Sequence, residues 1–194
     1  GGHGFVGNAL AYNLHRSGHN VIIPARSCSP DQLINKLHGH VVYCIGLTAD
    51  FRSRPWDTVD AHVGVLRHLL AEGRFASLTY LSSTRVYLGG DAGHEDAPLT
   101  VRPEAPDQLY NLSKLMGESL CHAAHRPEKP VRVVRLSNVV GGDLTSDNFI
   151  YALLREALAT GAIQLNSSLD SAKDYIALAD VTRQYTYFVS KGRP

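Results

Sequence analysis

The sequence has no apolar stretch that approaches the ~20 residues a helix needs to span a bilayer. It also has little net charge, formally +1 at pH 7, and its cationic residues are scattered along the chain. Affinity for nucleic acid or for an anionic membrane surface depends on concentrated positive charge. We therefore expect neither nucleic acid nor a membrane as a partner.

Cysteine is also scarce. Only three cysteines occur, an odd number with no close pairing, which is not the pattern of a disulfide framework. The ten histidines include two close pairs, in HGH and HAAH, but neither pair has a cysteine or carboxylate at a metal-binding offset. We expect no metal site, and a protein of the reducing cytoplasm.

What the sequence does contain is an alternation of short apolar runs with amphipathic segments, typical of strand–helix–strand units around a parallel sheet. Strands are predicted at residues 20–25, 40–46, 77–83 and 131–137, with a short one at the start of 173–189. Helices are predicted at about 5–18, 29–37, 58–73, 109–125, 148–161 and the remainder of 173–189. The predicted fold is α/β, a doubly wound, Rossmann-like parallel sheet.

Two parts of this pattern are absent from the chain. A central strand should precede Gly1, and between residues 26 and 40 there is room for one helix but not for a further strand and its helix. The chain also stops soon after its last helix. We expect residues 1–140 to form a dinucleotide-binding domain without its first strand, and residues 141–194 to form truncated elements of a small C-terminal substrate-binding lobe. A fragment of a longer protein is expected in preference to a naturally minimal enzyme.

The chain opens with GGHGFVG, in which Gly1, Gly4 and Gly7 have the spacing of a nucleotide-binding turn. Such glycines allow a tight turn, a close approach of the backbone to a pyrophosphate, and close packing of a helix on a strand. The phosphates would lie at the start of the next helix, at Phe5 and Val6, where free N–H groups favour negative charge. The alternative is an ordinary glycine-rich turn, because 17 glycines can produce this pattern by chance.

The segment YNLSK places Tyr110 and Lys114 four residues apart, on one face of a predicted helix. A nearby ammonium favours the phenolate and is expected to lower the pKa of the tyrosine. Tyr110 would then act as a general acid or base near neutral pH. The alternative is an exposed Tyr–Lys pair on a solvated helix.

The segment LSSTRVY, residues 81–87, lies at the C-terminal end of a predicted strand. In an open α/β sheet, ligands bind at that end of the strands. A serine there can hydrogen-bond a hydroxyl or carbonyl of a substrate and share in its proton transfer. The alternative is a serine in a strand-to-loop turn, which is common.

In their order and spacing, these motifs resemble the extended short-chain dehydrogenase/reductase family, in the branch that modifies sugar nucleotides. GGHGFVG resembles that family's opening turn, YLSSTRVY its S-S-x-x-V-Y segment, and YNLSK its Y-x-x-x-K motif. RLSNVVG resembles R-x-x-N-V-Y-G, except that Val140 replaces the tyrosine, and KDYIALADV resembles R-D-F-I-x-V-x-D-V. The resemblance extends from Gly1 to about Val181 and omits a short region after Arg26.

The resemblance implies a role for each matched residue. Ser83 would be the catalytic hydroxyl, Tyr110 would donate or accept the proton, and Lys114 would hold the nicotinamide ribose. Asn138 would contact the nucleotide part of the substrate, and Thr84 is a further expected substrate contact.

Other positions follow from the same resemblance. Cys44, Ile45 and Gly46 match the segment that passes beneath the cofactor after a strand. His62 stands where many relatives have an asparagine, so we do not assign to His62 the contact that relatives make at this position.

The activity implied is that of an NAD(P)-dependent oxidoreductase or epimerase acting on a nucleotide-linked sugar. Relatives that are 4,6-dehydratases carry an acidic pair where this chain has Thr84 and Arg85, so no dehydratase activity is expected. Two alternatives stay open. One is an NADPH-dependent reductase of a small carbonyl compound, and the other is a non-catalytic module that senses the cofactor.

The expected cofactor is NADP rather than NAD. In NAD-using relatives an acidic residue ends the second strand, binds the adenosine ribose and repels a 2′-phosphate. Here Ala25 occupies that place, Arg26 and Ser27 follow it, and the next carboxylate is Asp31. A guanidinium and a hydroxyl suit a phosphate. The alternative is a surface arginine that distinguishes neither cofactor.

Family members commonly dimerise through the helix that carries the tyrosine and the helix before it, here residues 109–125 and 58–72. Met116 and Leu120 would belong to such a face, and a homodimer is expected. The alternative is that these side chains are simply buried against the sheet.

Overall fold

The structure is a computed structural model, and it describes residues 1–47, 50–105, 107–142, 148–165, 168 and 170–190. Helices α1–α7 are Phe5–Arg16, Pro30–Lys36, Pro55–Val59, Val65–Glu72, Gln108–Ala124, Phe149–Thr160 and Leu178–Ser190. Strands β1–β5 are Gly39–Tyr43, Phe75–Ser83, Val131–Leu136, Asn138–Val140 and Tyr175–Ala177. A π-helical segment, Asp60–Gly64, joins α3 to α4, and a 3₁₀ turn, Thr84–Tyr87, follows β2.

The central sheet has the order β1-β2-β3, and its strands are parallel. Leu78 of β2 pairs with Val41 on one side and with Val131 on the other, so β2 is the middle strand. A second parallel pair, β4 with β5, lies in the C-terminal part. Parallel neighbours need crossover connections, which the α3–α4 segment and α5 supply here.

Helices cover the central sheet on both faces. Successive residues of a strand point to opposite faces. On β2, the Tyr80 hydroxyl lies 3.4 Å from the His62 carbonyl oxygen, whereas the neighbouring Thr79 hydroxyl lies 3.5 Å from the Tyr185 hydroxyl of α7. The π-helical segment and α7 therefore lie on opposite faces. The predicted α/β fold with a doubly wound parallel sheet is confirmed.

Most predicted elements are confirmed within a few residues. For helix α2, the serine that opens SPDQLINKL predicts a cap at Ser29, and this is confirmed. The Ser29 hydroxyl accepts a hydrogen bond from the Gln32 backbone, and the Gln32 side chain accepts one from the Ser29 backbone. Strand β4, in contrast, was not predicted. Among the described helices, none has both the length and the apolarity to cross a membrane.

The predicted strand at residues 20–25 is wrong, because this segment has no regular secondary structure. A strand requires a neighbour that completes its backbone hydrogen bonds. Within the described ranges, no strand pairs with this segment. The segment nevertheless packs against the glycine turn, since a Cβ on Gly2 would lie 2.6 Å from the Ile23 side chain.

The buried face of the α3–α4 segment also differs from the prediction. The sequence pattern predicts one face made of Val59, Val63, Leu66 and Leu70. Leu66 is fully buried as predicted, but the other three are only half-buried. The polar side chains of Thr58 and His62, one residue earlier, are fully buried instead. A π-helical turn holds more residues than an α-helical turn, so it shifts the face that points to the sheet.

The core is organised around β2, and Leu78 at its centre is 0% exposed. We expect Leu78→Ala to lower the free energy of unfolding by about 2–5 kcal/mol, because it removes buried methyl groups and leaves a cavity. Leu88, which is 55% exposed, provides the control, and Leu88→Ala should cost less than about 1 kcal/mol. Chemical denaturation measures both variants. Equal losses would contradict the central position of β2.

Candidate active site

The glycine turn forms the start of α1. Gly4 caps the helix, no side chain satisfies the N–H groups of its first turn, and that turn contains no acidic residue. A Cβ on Gly1 would lie 2.1 Å from the Cys44 carbonyl carbon, and a Cβ on Gly7 would lie 2.3 Å from the Gly1 carbonyl oxygen. Only glycine fits these two positions. The free N–H groups and the absence of acidic side chains fit an anionic ligand.

A cleft of about 590 Å³ opens beside this turn. Of the predicted cofactor-binding residues, it is lined by Gly1, Gly4, Gly7, Arg26, Cys44, Ile45 and Gly46. Phe5, Val6 and Ser27 lie in or near the same turns but are not part of the wall. The Arg26 guanidinium donates to the His3 carbonyl oxygen at 3.4 Å, and it makes no ion pair with a described carboxylate. Arg26 therefore has hydrogen-bond donors left for a ligand.

The predicted catalytic residues meet at the C-terminal end of β2. Ser83 is the last residue of that strand, and its side chain is near enough to the Tyr110 phenol to lower the pKa of that phenol. Tyr110 lies in the first turn of α5 and is 7% exposed. One turn later, Lys114 is also buried, and its Nζ donates to the Leu81 carbonyl oxygen at 2.9 Å. The structure thus brings Ser83, Tyr110 and Lys114 together.

Gly46 connects this trio to the cleft. A Cβ on Gly46 would lie 3.5 Å from Lys114 Nζ and 3.2 Å from His62 Nε2. The segment that follows β1 therefore passes directly over the lysine. A ligand in the cleft that follows Cys44–Gly46 would reach the trio.

The expected direction of the Tyr110 pKa is wrong. Burial raises the pKa of Tyr110 above its ordinary value, and the nearby Ser83 hydroxyl and the positive charge of Arg85 only partly oppose this. The sequence argument assigned the opposing charge to Lys114. Burial also lowers the pKa of Lys114 to about 8, against the effects of Cys44 and Glu118. Desolvation outweighs the neighbouring charges for both groups.

His62 packs against the Tyr110 ring and is linked to the Tyr110 backbone through Ser113. Its Nδ1 lies 2.8 Å from the Ser113 hydroxyl, which donates to the Tyr110 carbonyl oxygen at 3.0 Å. Its ring meets the Tyr110 ring edge-on, at 5.1 Å between centroids. The hydrophobic periodicity missed His62 because a histidine is polar. The signal that could have identified His62 was its position in the sequence, where many relatives have an asparagine.

A buried ion pair lies on the other side of the trio. Glu118, one turn beyond Lys114, accepts hydrogen bonds from Ser82 and from Arg135, whose Nη2 lies 2.7 Å from its Oε2. The same guanidinium donates to the Tyr87 hydroxyl at 2.7 Å. Sequence reasoning noticed Arg135 only as part of a motif. The pair ties β3 to α5 and to the turn after β2.

The two predicted substrate contacts follow the C-terminal ends of neighbouring strands, β2 and β3, whose last residues Ser83 and Leu136 are paired. Thr84 directly follows Ser83, at the start of the 3₁₀ turn. Asn138 lies in β4, outside the three-stranded sheet, and its side-chain amide donates to the Asp174 carbonyl oxygen at 3.0 Å. In the described part of the chain, no group of three or more His, Cys, Asp or Glu side chains could hold a metal ion.

We expect His62 to make folding sensitive to acid. Burial, followed by the charge of Lys114, lowers the pKa of His62 from 6.5 to about 3. Between these two pH values His62 is protonated in the unfolded chain but not in the folded chain. The free energy of unfolding therefore decreases as the pH falls from 6.5 towards 3. Between pH 7 and pH 5 the loss due to this residue should be roughly 2 kcal/mol.

The free energy of unfolding, measured at both pH values, tests this for the wild type and for His62→Asn. The variant should lose less stability on acidification, whatever its stability at pH 7. His94→Asn, at an exposed loop position, is the control and should keep the wild-type pH dependence. An unchanged pH dependence in His62→Asn would refute the assignment.

Comparisons with known proteins identify the family and agree with the fold. A model of the NAD dependent epimerase/dehydratase family matches residues 1–194. The chain is similar to MoeE5 in complex with UDP-glucuronic acid and NAD, at 24% identity and a TM-score of 0.79, over 97% of this chain and 70% of that one.

It is also similar to RMD from Pseudomonas aeruginosa complexed with NADPH, at 26% identity and a TM-score of 0.76, over 98% of this chain and 72% of the other. For a UDP-galactose 4-epimerase the identity is 21% and the TM-score 0.73, over 98% and 70% of the two chains. No curated protein sequence matched. Because the family match covers residues 1–194 and the solved structures share the fold, the chain belongs to the NAD dependent epimerase/dehydratase family.

Proposed function

We propose that this protein is an NAD(P)-dependent oxidoreductase or epimerase that acts on a nucleotide-linked sugar through Ser83, Tyr110 and Lys114. The observation that carries the proposal is the meeting of these three side chains at the C-terminal end of β2, next to the cleft of the glycine turn. A hydroxyl, a phenol and an ammonium at one point suit proton exchange with an alcohol or a ketone.

Each residue has a distinct task in this proposal. Tyr110 exchanges a proton with the sugar hydroxyl through its phenol oxygen, and Ser83 holds the same sugar oxygen by a hydrogen bond. Because the pKa of Tyr110 is raised, the phenol is protonated at neutral pH and is ready to donate. Hydride chemistry is supplied by the nicotinamide when it is bound.

The chain's residues fit such a cofactor. The start of α1, where no side chain occupies the free N–H groups, would hold its phosphates, and Cys44–Gly46 would pass beneath it. Lys114, with its pKa lowered to about 8, keeps a positive charge at neutral pH and would hold the nicotinamide ribose. Arg26 would contact the adenosine end.

The solved structures of similar proteins indicate which kinds of substrate and cofactor this fold can bind. MoeE5 was solved with UDP-glucuronic acid and NAD, and RMD with NADPH. Nucleotide sugars and both cofactor types thus occur on this fold. For the present chain we retain a nucleotide sugar, with Asn138 and Thr84 as its contacts, and NADP before NAD.

Three expectations stay predictions. One is the division at residue 140 between cofactor and substrate elements, and another is a cytoplasmic location. The third is a homodimer through α5 and the α3–α4 segment, on which Met116 is 54% exposed and Leu120 is half-buried.

The rival activity is reduction of a small carbonyl compound, for which the same trio would serve. Asn138, which matches the nucleotide contact of relatives, favours a nucleotide-linked substrate. A thermal-protection assay with UDP, GDP and dTDP distinguishes the two activities. Protection by one nucleotide supports the nucleotide-sugar proposal. The non-catalytic sensing module is disfavoured, because the three candidate catalytic side chains are present and assembled.

Tyr110→Phe tests the assignment of the proton donor. Loss of the phenol hydroxyl should lower turnover by at least ~100-fold, because a positioned general acid or base usually accelerates a reaction by at least this factor. Cofactor affinity should change little, because the phenyl ring remains. Steady-state kinetics and cofactor titration measure the two effects. Tyr12→Phe, at a side chain that is 61% exposed on α1, is the matched control. Undiminished turnover in Tyr110→Phe would reject the proposal.

Arg26→Ala tests the cofactor preference. Removal of the guanidinium should weaken NADP binding by about tenfold or more and NAD binding by much less, because only NADP carries the 2′-phosphate. Fluorescence titration of both cofactors gives the ratio. Arg16→Ala, at the far end of α1, controls for the loss of one positive charge. Tighter binding of NAD than of NADP by the wild type would show that the preference is wrong.

A further inference from the structure

His62 lies against the candidate catalytic tyrosine, in the π-helical segment between α3 and α4. It is 0% exposed, although a histidine ring carries two nitrogens that need partners when they are buried. The Tyr43 hydroxyl of β1 donates to the Ala61 carbonyl oxygen at 2.6 Å. The Tyr80 hydroxyl of β2 lies 3.4 Å from the carbonyl oxygen of His62 itself. The sheet therefore fixes the backbone that carries this ring.

The π-helical turn is what brings His62 towards the sheet. With α-helical spacing, Val59, Val63 and Leu66 would share the buried face. The wider turn instead buries His62 and leaves Val63 half-buried. Turns of this kind are frequent at functional sites. Burial of a polar ring in place of an apolar side chain costs free energy, which indicates a role other than stability.

Two contacts connect the His62 ring with Tyr110. The two rings meet edge-on, at an interplanar angle of 90° and 5.1 Å between centroids, which is an attractive arrangement. The Nδ1 atom lies 2.8 Å from the Ser113 hydroxyl oxygen, and that hydroxyl donates its one hydrogen to the Tyr110 carbonyl oxygen at 3.0 Å. The hydrogen-bond network therefore assigns the ring hydrogen to Nδ1, which donates to Ser113.

We propose that His62 is a positioning residue for the reaction: its ring and its hydrogen bond to Ser113 hold the Tyr110 phenol in place. A catalytic side chain works only when its neighbours restrict it to the productive geometry, within roughly 0.5 Å. A displacement of about 1 Å can cost on the order of 100-fold in rate. This role rests on the proposed function, because it assumes that Tyr110 transfers the proton.

The competing explanation is that His62 only fills space in the core. A space-filling residue would lose stability but no turnover when an apolar side chain replaces it. Burial, followed by the charge of Lys114, lowers the pKa of His62 to about 3, so the ring is neutral at pH 7. It therefore keeps one N–H group for Ser113 throughout the neutral range, as a positioning role requires.

The test uses the different reach of two amides. An asparagine amide stands as far from the backbone as Nδ1, whereas a glutamine amide reaches as far as Nε2. His62→Asn therefore keeps a donor for Ser113, and His62→Gln and His62→Leu do not. Turnover is measured with the full chain, its cofactor and the hexose whose nucleotide, UDP, GDP or dTDP, gives thermal protection.

Thr58→Val is the matched control. Thr58 lies one turn before His62, is also 0% exposed, and donates its hydroxyl to the Arg54 carbonyl oxygen at 2.8 Å. The variant should lose stability without loss of turnover. Thermal unfolding shows that each variant is folded at the temperature of the assay.

His62→Leu and His62→Gln should lower kcat roughly tenfold to a hundredfold with little change in KM, because the substrate still binds while the phenol is misplaced. His62→Asn should restore most of the wild-type kcat. Ser113→Ala should also lower kcat. Its combination with His62→Leu should be no slower than His62→Leu alone, because both changes remove the same link.

A second readout does not depend on activity. In protein labelled with ¹³C at the tyrosine Cζ, the Tyr110 line is the one that Tyr110→Phe lacks. It should broaden or split in His62→Leu and Ser113→Ala, because the ring then samples more than one position. It should remain a single sharp line in His62→Asn and Thr58→Val, whatever its chemical shift.

Undiminished kcat in His62→Leu, with Tyr110→Phe inactive, would overturn the positioning role and leave the proposed function intact. A loss in His62→Asn as large as that in His62→Leu would also overturn it. If no hexose is turned over, the proposed function fails, and the Tyr110 line decides the role of His62. A broadened line in His62→Leu then supports that role, and an unchanged line overturns it.

Discussion

The close approach of α5 to the sheet at Gly117 is the constraint on which the site depends. A Cβ at this position would lie 2.5 Å from the Tyr80 hydroxyl and 2.9 Å from the His62 carbonyl oxygen. Only glycine lets the helix come so near to β2 and to the π-helical segment at once. The same helix carries Lys114 and Tyr110, so this contact sets their distance from the end of β2. A larger residue would move the candidate site as a unit.

This close packing also determines the electrostatics. Burial raises the pKa of Tyr110 and lowers that of Lys114, so desolvation favours the neutral form of both groups. Arg85 and Ser83 oppose the shift of the tyrosine but do not reverse it. An exposed Tyr–Lys pair on a helix would have neither property. The shifts arise because the helix presses these side chains against the sheet.

The sequence predicted the elements that local patterns encode, such as the cap at Ser29 and the motifs around Ser83 and Tyr110. It failed where the outcome depends on distant partners. The apolar run at residues 20–25 is not a strand, because a strand requires a neighbour. His62 was missed by periodicity because burial of a polar ring depends on the Ser113 hydroxyl that meets it. The ion pair between Arg52 and Asp107, which lie 55 residues apart in the chain, is likewise encoded by no local pattern.

The buried charges of the site are paired within the protein, whereas the partly exposed Arg85 is paired only weakly. Glu118 is paired with Arg135, and Lys114 donates to a backbone carbonyl oxygen and lies over the Tyr80 ring. An unpaired buried charge would lower the free energy of unfolding, so proteins pair such groups internally. Arg85, whose side chain is 31% exposed, makes only a long ion pair with Asp107, at 3.9 Å. Water at its outer edge solvates the guanidinium, so this weak pairing costs little stability.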